Sequence, residues 1–203
     1  MKSKIIAGFV VMTIFGAGCV GIGTEDVPPY IPGQIPTEAQ LQVMTDQEKT
    51  DGMNAMVENV SLPEMTQEEK AAEVQTSIDQ MKEGDTIRLG DFEGRLLHPA
   101  AGTVRVVEVG GKHMLVFSNE FSVLMGPSLY VYLSSETSPQ KAELVMDEGF
   151  EIAKLKSVNG VQVYELPDDV NFENGGVASS VASIHSVVII SKPFKYIFAS
   201  AGF

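Results

Sequence analysis

The sequence predicts an all-β fold, a β-sandwich of roughly eight antiparallel strands, preceded by a signal peptide, a tether and one or two short helices. Three observations predict it. From Thr86 to Phe203 the chain runs in short segments rich in Val, Ile, Tyr and Phe, residues that fit a pleated and half-buried surface. Turn residues punctuate these segments about every ten positions. Nothing between them is long enough for a crossover helix, so the strands are expected to pair as antiparallel neighbours in two packed sheets.

Taken in order, residues 1–18 read as a signal peptide. Lys2 and Lys4 precede the apolar run Ile5–Gly18, which is about 14 residues long and short of the roughly 20 that a spanning helix needs. The run ends in Gly16-Ala17-Gly18-Cys19, small residues leading into the single cysteine of the chain. This stretch resembles the lipobox of bacterial lipoproteins, although Gly16 stands where that motif usually has Leu. The resemblance implies cleavage before Cys19 and a lipid on its sulfur. An ordinary signal cut nearby, or an uncleaved anchor with Cys19 incidental, is the alternative. Either way the protein is expected outside the cytoplasm, anchored in the cell-envelope membrane when Cys19 is lipidated.

Residues 19–36 mix Gly, Pro and acidic residues without periodicity and are expected to form a flexible tether. Residues 37–84 form an acidic helical segment. Thr37 and Thr66 each stand as helix caps before acidic residues, and Glu69 completes a capping box with Thr66. Ala71, Val74, Ile78 and Met81 recur at helical spacing and predict a face that docks on the sheet. Met44, Met53 and Met56 predict either an adaptable packing face or a partner-binding one.

Residues 85–203 carry the β pattern and are expected to fold alone. Thr103–Val109 and Lys112–Phe117 flank Gly110-Gly111, a tight hairpin signal. Glu151–Ser157 and Val161–Leu166 flank Asn159-Gly160, which predicts a second hairpin. Leu129–Leu133 and Ser186–Ser191 are nearly continuous apolar runs and read as buried strands.

The net charge of −13 argues against a nucleic-acid partner, since phosphate neutralisation demands basic clusters. With Cys19 lipidated the folded part holds no thiol, which excludes disulfide exchange and thiolate catalysis there. There is no nucleophile elbow, phosphate-binding loop or dinucleotide fingerprint, so the chain is not expected to be an enzyme. The expected contacts are the membrane, through the lipid, and a protein or envelope partner through the helical segment or the β-domain.

Several segments occur in a specific order: Gly90-Asp91-Phe92-Glu93-Gly94, His98-Pro99 before Gly102-Thr103-Val104, Gly126-Pro127-Ser128-Leu129-Tyr130, Asn159-Gly160 before Tyr164-Glu165-Leu166-Pro167, and Lys192-Pro193-Phe194 before Phe198-Ala199-Ser200-Ala201. From about Leu89 to the C-terminus the chain thereby resembles the DM13 domain, often called the electron-transfer DM13 domain. The resemblance implies a β-sandwich in a secreted or membrane-tethered protein. It also implies a redox role resting on a cysteine just before the Lys-Pro-Phe segment, as a bare thiol or as holder of a cofactor such as haem. Here that position is Ser191, whose hydroxyl has neither the nucleophilicity nor the soft-metal affinity of a thiolate. Ser128 likewise stands where the family usually has Asp. A binding or structural module is therefore the expected function, with Ser191→Cys expected to create a reactive or cofactor-binding site without destroying the fold. The alternative is haem-type electron transfer using His98 in place of the thiol.

Candidate site residues follow from this reading. His98, in the family-like His-Pro segment, is a candidate axial ligand to haem with Met125; the more ordinary reading is a turn histidine hydrogen-bonded at a strand end. Asp169, Asn171 and Glu173 space oxygen atoms at alternate positions as a calcium loop does. A turn rich in Asn, Asp and Gly explains that composition as well. Tyr130, Tyr132, Tyr164 and Tyr196 offer an electron relay or, at strand spacing, cross-strand packing. No cofactor is the expected state, with haem or calcium as the alternatives.

Overall fold

The computed structural model describes residues 27–58, 65–95, 97–168, 170, 172 and 183–203. Cys19, the signal segment and the candidate calcium residues Asp169, Asn171 and Glu173 lie outside the described residues.

Three helices come first: α1 (Glu38–Val43), α2 (Asp46–Val57) and α3 (Gln67–Glu83). One or two were expected. All three start at a threonine whose side chain accepts from the backbone N–H three residues on, while Gln40, Glu48 or Glu69 reaches back to the cap. Three capping boxes in series satisfy the first-turn donors and define where each helix begins. The box at Thr66 was legible in the sequence; the one at Thr45 separates α1 from α2 where a continuous helix might be drawn.

Eleven strands are described: β1 (Asp85–Asp91), β2 (Glu93–Gly94), β3 (Ala100–Ala101), β4 (Thr103–Val109), β5 (Lys112–Phe117), β6 (Ser122–Val123), β7 (Leu129–Ser134), β8 (Phe150–Lys154), β9 (Gln162–Glu165), β10 (Ser186–Ser191) and β11 (Tyr196–Gly202). A short helix, α4 (Ala142–Glu148), links β7 to β8. One sheet has the order β1-β4-β5-β9, the other β2-β11-β10-β7-β8, with β3 and β6 as a small separate pair. Every pairing is antiparallel.

The arrangement is sandwich-like because the period-two alternation sends one row of each sheet inward. Val104 and Val106 of β4, Leu115 and Phe117 of β5, Val131 and Leu133 of β7, and Val187 and Ile189 of β10 share one buried cluster. The opposite row of the second sheet is covered too: Tyr132, Val188, Ile190 and Ile197 pack with Ala142 and Val145 of α4. That double cover explains why all six residues of β10 are buried and why its sequence reads as an unbroken apolar run.

The Gly110-Gly111 turn forms as expected, with φ of +58° and +80° that a hairpin of this type requires. The Asn159-Gly160 hairpin does not. β8 pairs with β7 and β9 with β5, so the chain crosses between sheets there instead of folding back in one. The buried Gln162 side chain organises the crossing: its Oε1 accepts from the backbone N–H of Lys156 (3.0 Å) and Ser157 (3.1 Å) and from Tyr164 Oη–H (2.7 Å), and its Nε2 donates to Ser157 O (2.7 Å). A side chain can satisfy backbone groups that a hairpin ladder would otherwise pair.

The helical segment is built into the same core. Met53 of α2 is 1% exposed and belongs to the main cluster. Through Met53 the helical segment packs on the core formed by residues 85–203, and the boundary near Gly84 marks the change from helix to strand. Residues 27–36, expected as tether, pack as well. Tyr30 stands edge-on to Phe194 at 6.3 Å, and Gln40 Nε2 donates to Pro28 O at 3.0 Å. Gly52 permits this, since a Cβ there would fall 2.7 Å from the Tyr30 ring.

The apolar stripe of α3 is turned the other way from expectation. Val74, Ile78 and Met81 are 39%, 41% and 43% exposed, and Ala71 is exposed with them. Its inward contacts are polar. Glu73 Oε2 accepts from the Val163 backbone N–H (2.6 Å), Glu73 Oε1 pairs with Lys156 Nζ (2.5 Å), and Ser77 is buried. Strand β9 is a sheet edge whose outward N–H needs a partner, and a carboxylate on α3 supplies it. Edge satisfaction, not the hydrophobic stripe, sets the orientation of this helix.

Candidate functional site

His98 lies in the loop between β2 and β3, where its N–H donates to Arg95 O at 2.7 Å. It is 2% exposed. Phe198 of β11 stacks on the imidazole at 4.4 Å between centroids, Tyr196 meets it edge-on at 5.1 Å, and Nε2 hydrogen-bonds Thr50 Oγ1 of α2 at 3.3 Å. Nδ1 is buried with no hydrogen-bond partner among the described residues. Burial pushes the imidazole pKa below its ordinary value, so the ring is held neutral.

This surrounding does not fit a haem. An axial ligand must offer a ring nitrogen to a planar group that lies across it, whereas Nε2 faces Thr50 and aromatic rings flank the imidazole. Met125, the expected opposite ligand, is 45% exposed, while the adjacent Gly126 lies against the Phe198 ring that also covers His98. His98 is therefore a buried loop histidine hydrogen-bonded to Thr50, while Met125, the other member of the candidate pair, stands partly in solvent. Among the described residues no group of three or more His, Cys, Asp or Glu side chains converges as a metal centre.

Ser191 closes β10, opposite Leu129 of β7 and Tyr196 of β11. Its side chain is fully buried and donates to Pro127 O at 2.8 Å. Two non-glycine residues with positive φ among the described residues bracket it. Ser128 (φ +49°) precedes β7, and Lys195 (φ +44°) precedes β11. Left-handed backbone costs an L-residue about 1–2 kcal/mol, and Asp tolerates it better than Ser, which gives the usual family Asp at position 128 a backbone rationale. A thiol at position 191 would sit behind this turn, out of solvent and with a raised pKa. Burial at this position makes slow labelling the expected behaviour of a Ser191→Cys thiol.

Of the four tyrosines, Tyr132 donates to Glu151 Oε2 (2.7 Å) and Tyr164 to Gln162 Oε1 (2.7 Å), and burial raises both phenol pKa values. They act as buried hydrogen-bond donors in the two sheets. Tyr130 carries the Lys192 ammonium over its ring at 4.1 Å.

Sequence reasoning missed a cleft of about 390 Å³ whose floor is Tyr196 and Ile197. Lys49 of α2, Arg95 after β2, Lys141 before α4 and Lys195 before β11 line it from four distant parts of the chain, together with Asp46 and Glu143. Arg95 is fixed by donating to Pro139 O (2.8 Å) and Gln140 Oε1 (2.6 Å), and Lys195 Nζ pairs with Glu38 (2.6 Å). Lys49 and Lys141 answer Asp46 and Glu143 in charge, so the recess is polar and mixed in sign. Because Tyr196 floors the cleft and also touches His98, the family-like histidine supports the cleft from beneath.

A family model described as electron transfer DM13 matches residues 91–203, more than half of the chain. No curated protein and no solved structure matches it.

Proposed function

This chain belongs to the electron transfer DM13 family, and from that premise we propose that it is an exported, lipid-anchored binding module that has given up thiol redox chemistry. The observation that carries the proposal is Ser191. At the position where the family resemblance calls for cysteine, a serine hydroxyl is buried and committed to Pro127 O. A hydroxyl neither attacks disulfides nor binds soft metals at neutral pH. His98, the substitute ligand, is closed in by Thr50, Tyr196 and Phe198.

Binding remains as the use of the scaffold, and the cleft over Tyr196 is the place for it. Its mixture of cations and carboxylates suits a small polar ligand carrying charge of both signs. Anchoring rests on the basic start, the short apolar run and Cys19 at its end.

One experiment tests the anchoring and the missing thiol together. Full-length protein isolated from membranes is unfolded, titrated for free thiol and weighed by mass spectrometry. The proposal predicts no titratable thiol and a mature chain starting at an acylated Cys19. A free thiol on Cys19, or an intact Met1, contradicts it.

A further inference from the structure

The outward stripe of α3 has the geometry of a helix-pairing seam. Ala71, Val74, Ile78 and Met81 occupy successive a and d positions of a heptad, and all four are exposed. Helices of globular proteins normally bury such a stripe; here the helix is held from the other side by Glu73 and Ser77. The membrane surface is a poor cover for it, because Glu68, Glu69, Glu73, Asp79 and Glu83 outnumber Lys70 and Lys82 on this helix.

We infer that the stripe pairs with α3 of a second copy of this chain, antiparallel about a two-fold axis. In that register Ala71 meets Met81 of the second copy and Val74 meets Ile78, so small faces large along the seam. The e positions are Glu68, Gln75 and Lys82, all exposed. In an antiparallel pair e faces e: Glu68 meets Lys82 of the second copy, the reverse pair forms by symmetry, and Gln75 meets Gln75 on the axis. A parallel pairing would instead set Lys70 against Gln75 and Ser77 against Lys82, with Lys70 and Ser77 at g positions on the side that faces the domain, and would bring no opposite charges together. The complementarity of Glu68 with Lys82 therefore selects both the occupant and its direction.

Two short helical stripes bury less than a standard interface, and copies with a net charge of −13 repel, so the dimer is weak in solution. Anchoring in one membrane plane would raise the local concentration. The pairing itself does not depend on the cleft or on the redox reading, and it extends the binding function to self-association.

The test is site-directed cross-linking of the full chain in its membrane with a short bismaleimide, wild type serving as the background for Cys19. Gln75→Cys should give a covalent dimer several-fold above that background. Glu68→Cys and Lys82→Cys should each give none alone, since each lies about 21 Å from its own mate in this register, but should cross-link when the two variants are co-produced. With Gln75→Cys as reporter, Glu68→Lys should cut dimer yield several-fold and the double reversal with Lys82→Glu should restore it. Unchanged thermal unfolding shows that the variants fold. Absence of a Gln75→Cys dimer, homotypic linking through Glu68→Cys, or failure of the double reversal to rescue would overturn the inference.

Discussion

Thr50 of α2 and His98 of the β2–β3 loop hydrogen-bond at 3.3 Å across a buried interface, joining two segments that the sequence assigns to different domains. Removing the hydroxyl in Thr50→Val keeps the side-chain shape but leaves the imidazole with neither nitrogen paired. A buried polar group so orphaned costs about 1–3 kcal/mol. For a chain of this size each kcal/mol lowers Tm by about 2–4 °C. Calorimetry should show one cooperative transition shifted down by several degrees; an unchanged Tm would mean that the helices ride on the sheets without supporting them.

Stability should fall in mild acid through His98. Burial lowers the folded-state pKa below the ordinary 6.5, so the unfolded chain takes up this proton first. The stabilisation is fully present above about pH 6.5 and is lost as pH falls through that value toward the folded pKa, at a limiting slope of about 1.4 kcal/mol per unit. Denaturant titrations from pH 7.5 to 5 should show a shallower decline for His98→Gln than for wild type. Parallel profiles would remove His98 as the source.

Glu73 is the clamp between α3 and the β9 edge. Glu73→Ala leaves the Val163 N–H and the Lys156 ammonium without their carboxylate. Hydrogen bonds to charged groups contribute about 1.5–3 kcal/mol, and a loss of that order is expected. Hydrogen exchange should locate it: the Val163 amide should exchange much faster in the variant, with amides of β10 unaffected apart from the global loss. Equal protection at Val163 would show that another group caps the edge.

Ser191→Cys should fold, since oxygen is exchanged for a slightly larger sulfur at a cost of about 1–3 kcal/mol in a packed site. Its thiol should react with Ellman's reagent only as fast as the protein opens, and at once in denaturant. Prompt labelling of the native variant would place position 191 at the surface and return thiol chemistry to this scaffold.

How much of this was legible varied with the physics involved. Period-two patterns gave the strands because inward rows such as Val104-Val106 and Val187-Ile189 obey a local rule. Threonine caps gave the starts of α1 and α3 for the same reason, whereas the start of α2 at Thr45 was not read. The Asn159-Gly160 segment misled, since hairpin and sheet crossing share the turn and differ only in what Gln162 bonds. The α3 stripe misled because a single carboxylate meeting a strand edge outweighed four apolar positions. His98 stood out by its motif, but its enclosure depends on Thr50, Tyr196 and Phe198, which no local pattern assembles. The cleft could not be read at all: Lys49, Arg95, Lys141 and Lys195 become neighbours only through the fold.

The central claim is that this DM13 member carries no redox couple in its folded part. The most direct measurement is a difference spectrum of the protein expressed from residue 1 to residue 203, oxidised with ferricyanide and then reduced with dithionite. The account predicts superimposable visible spectra. A band that appears on reduction and reverses on reoxidation, at stoichiometric intensity, would contradict it.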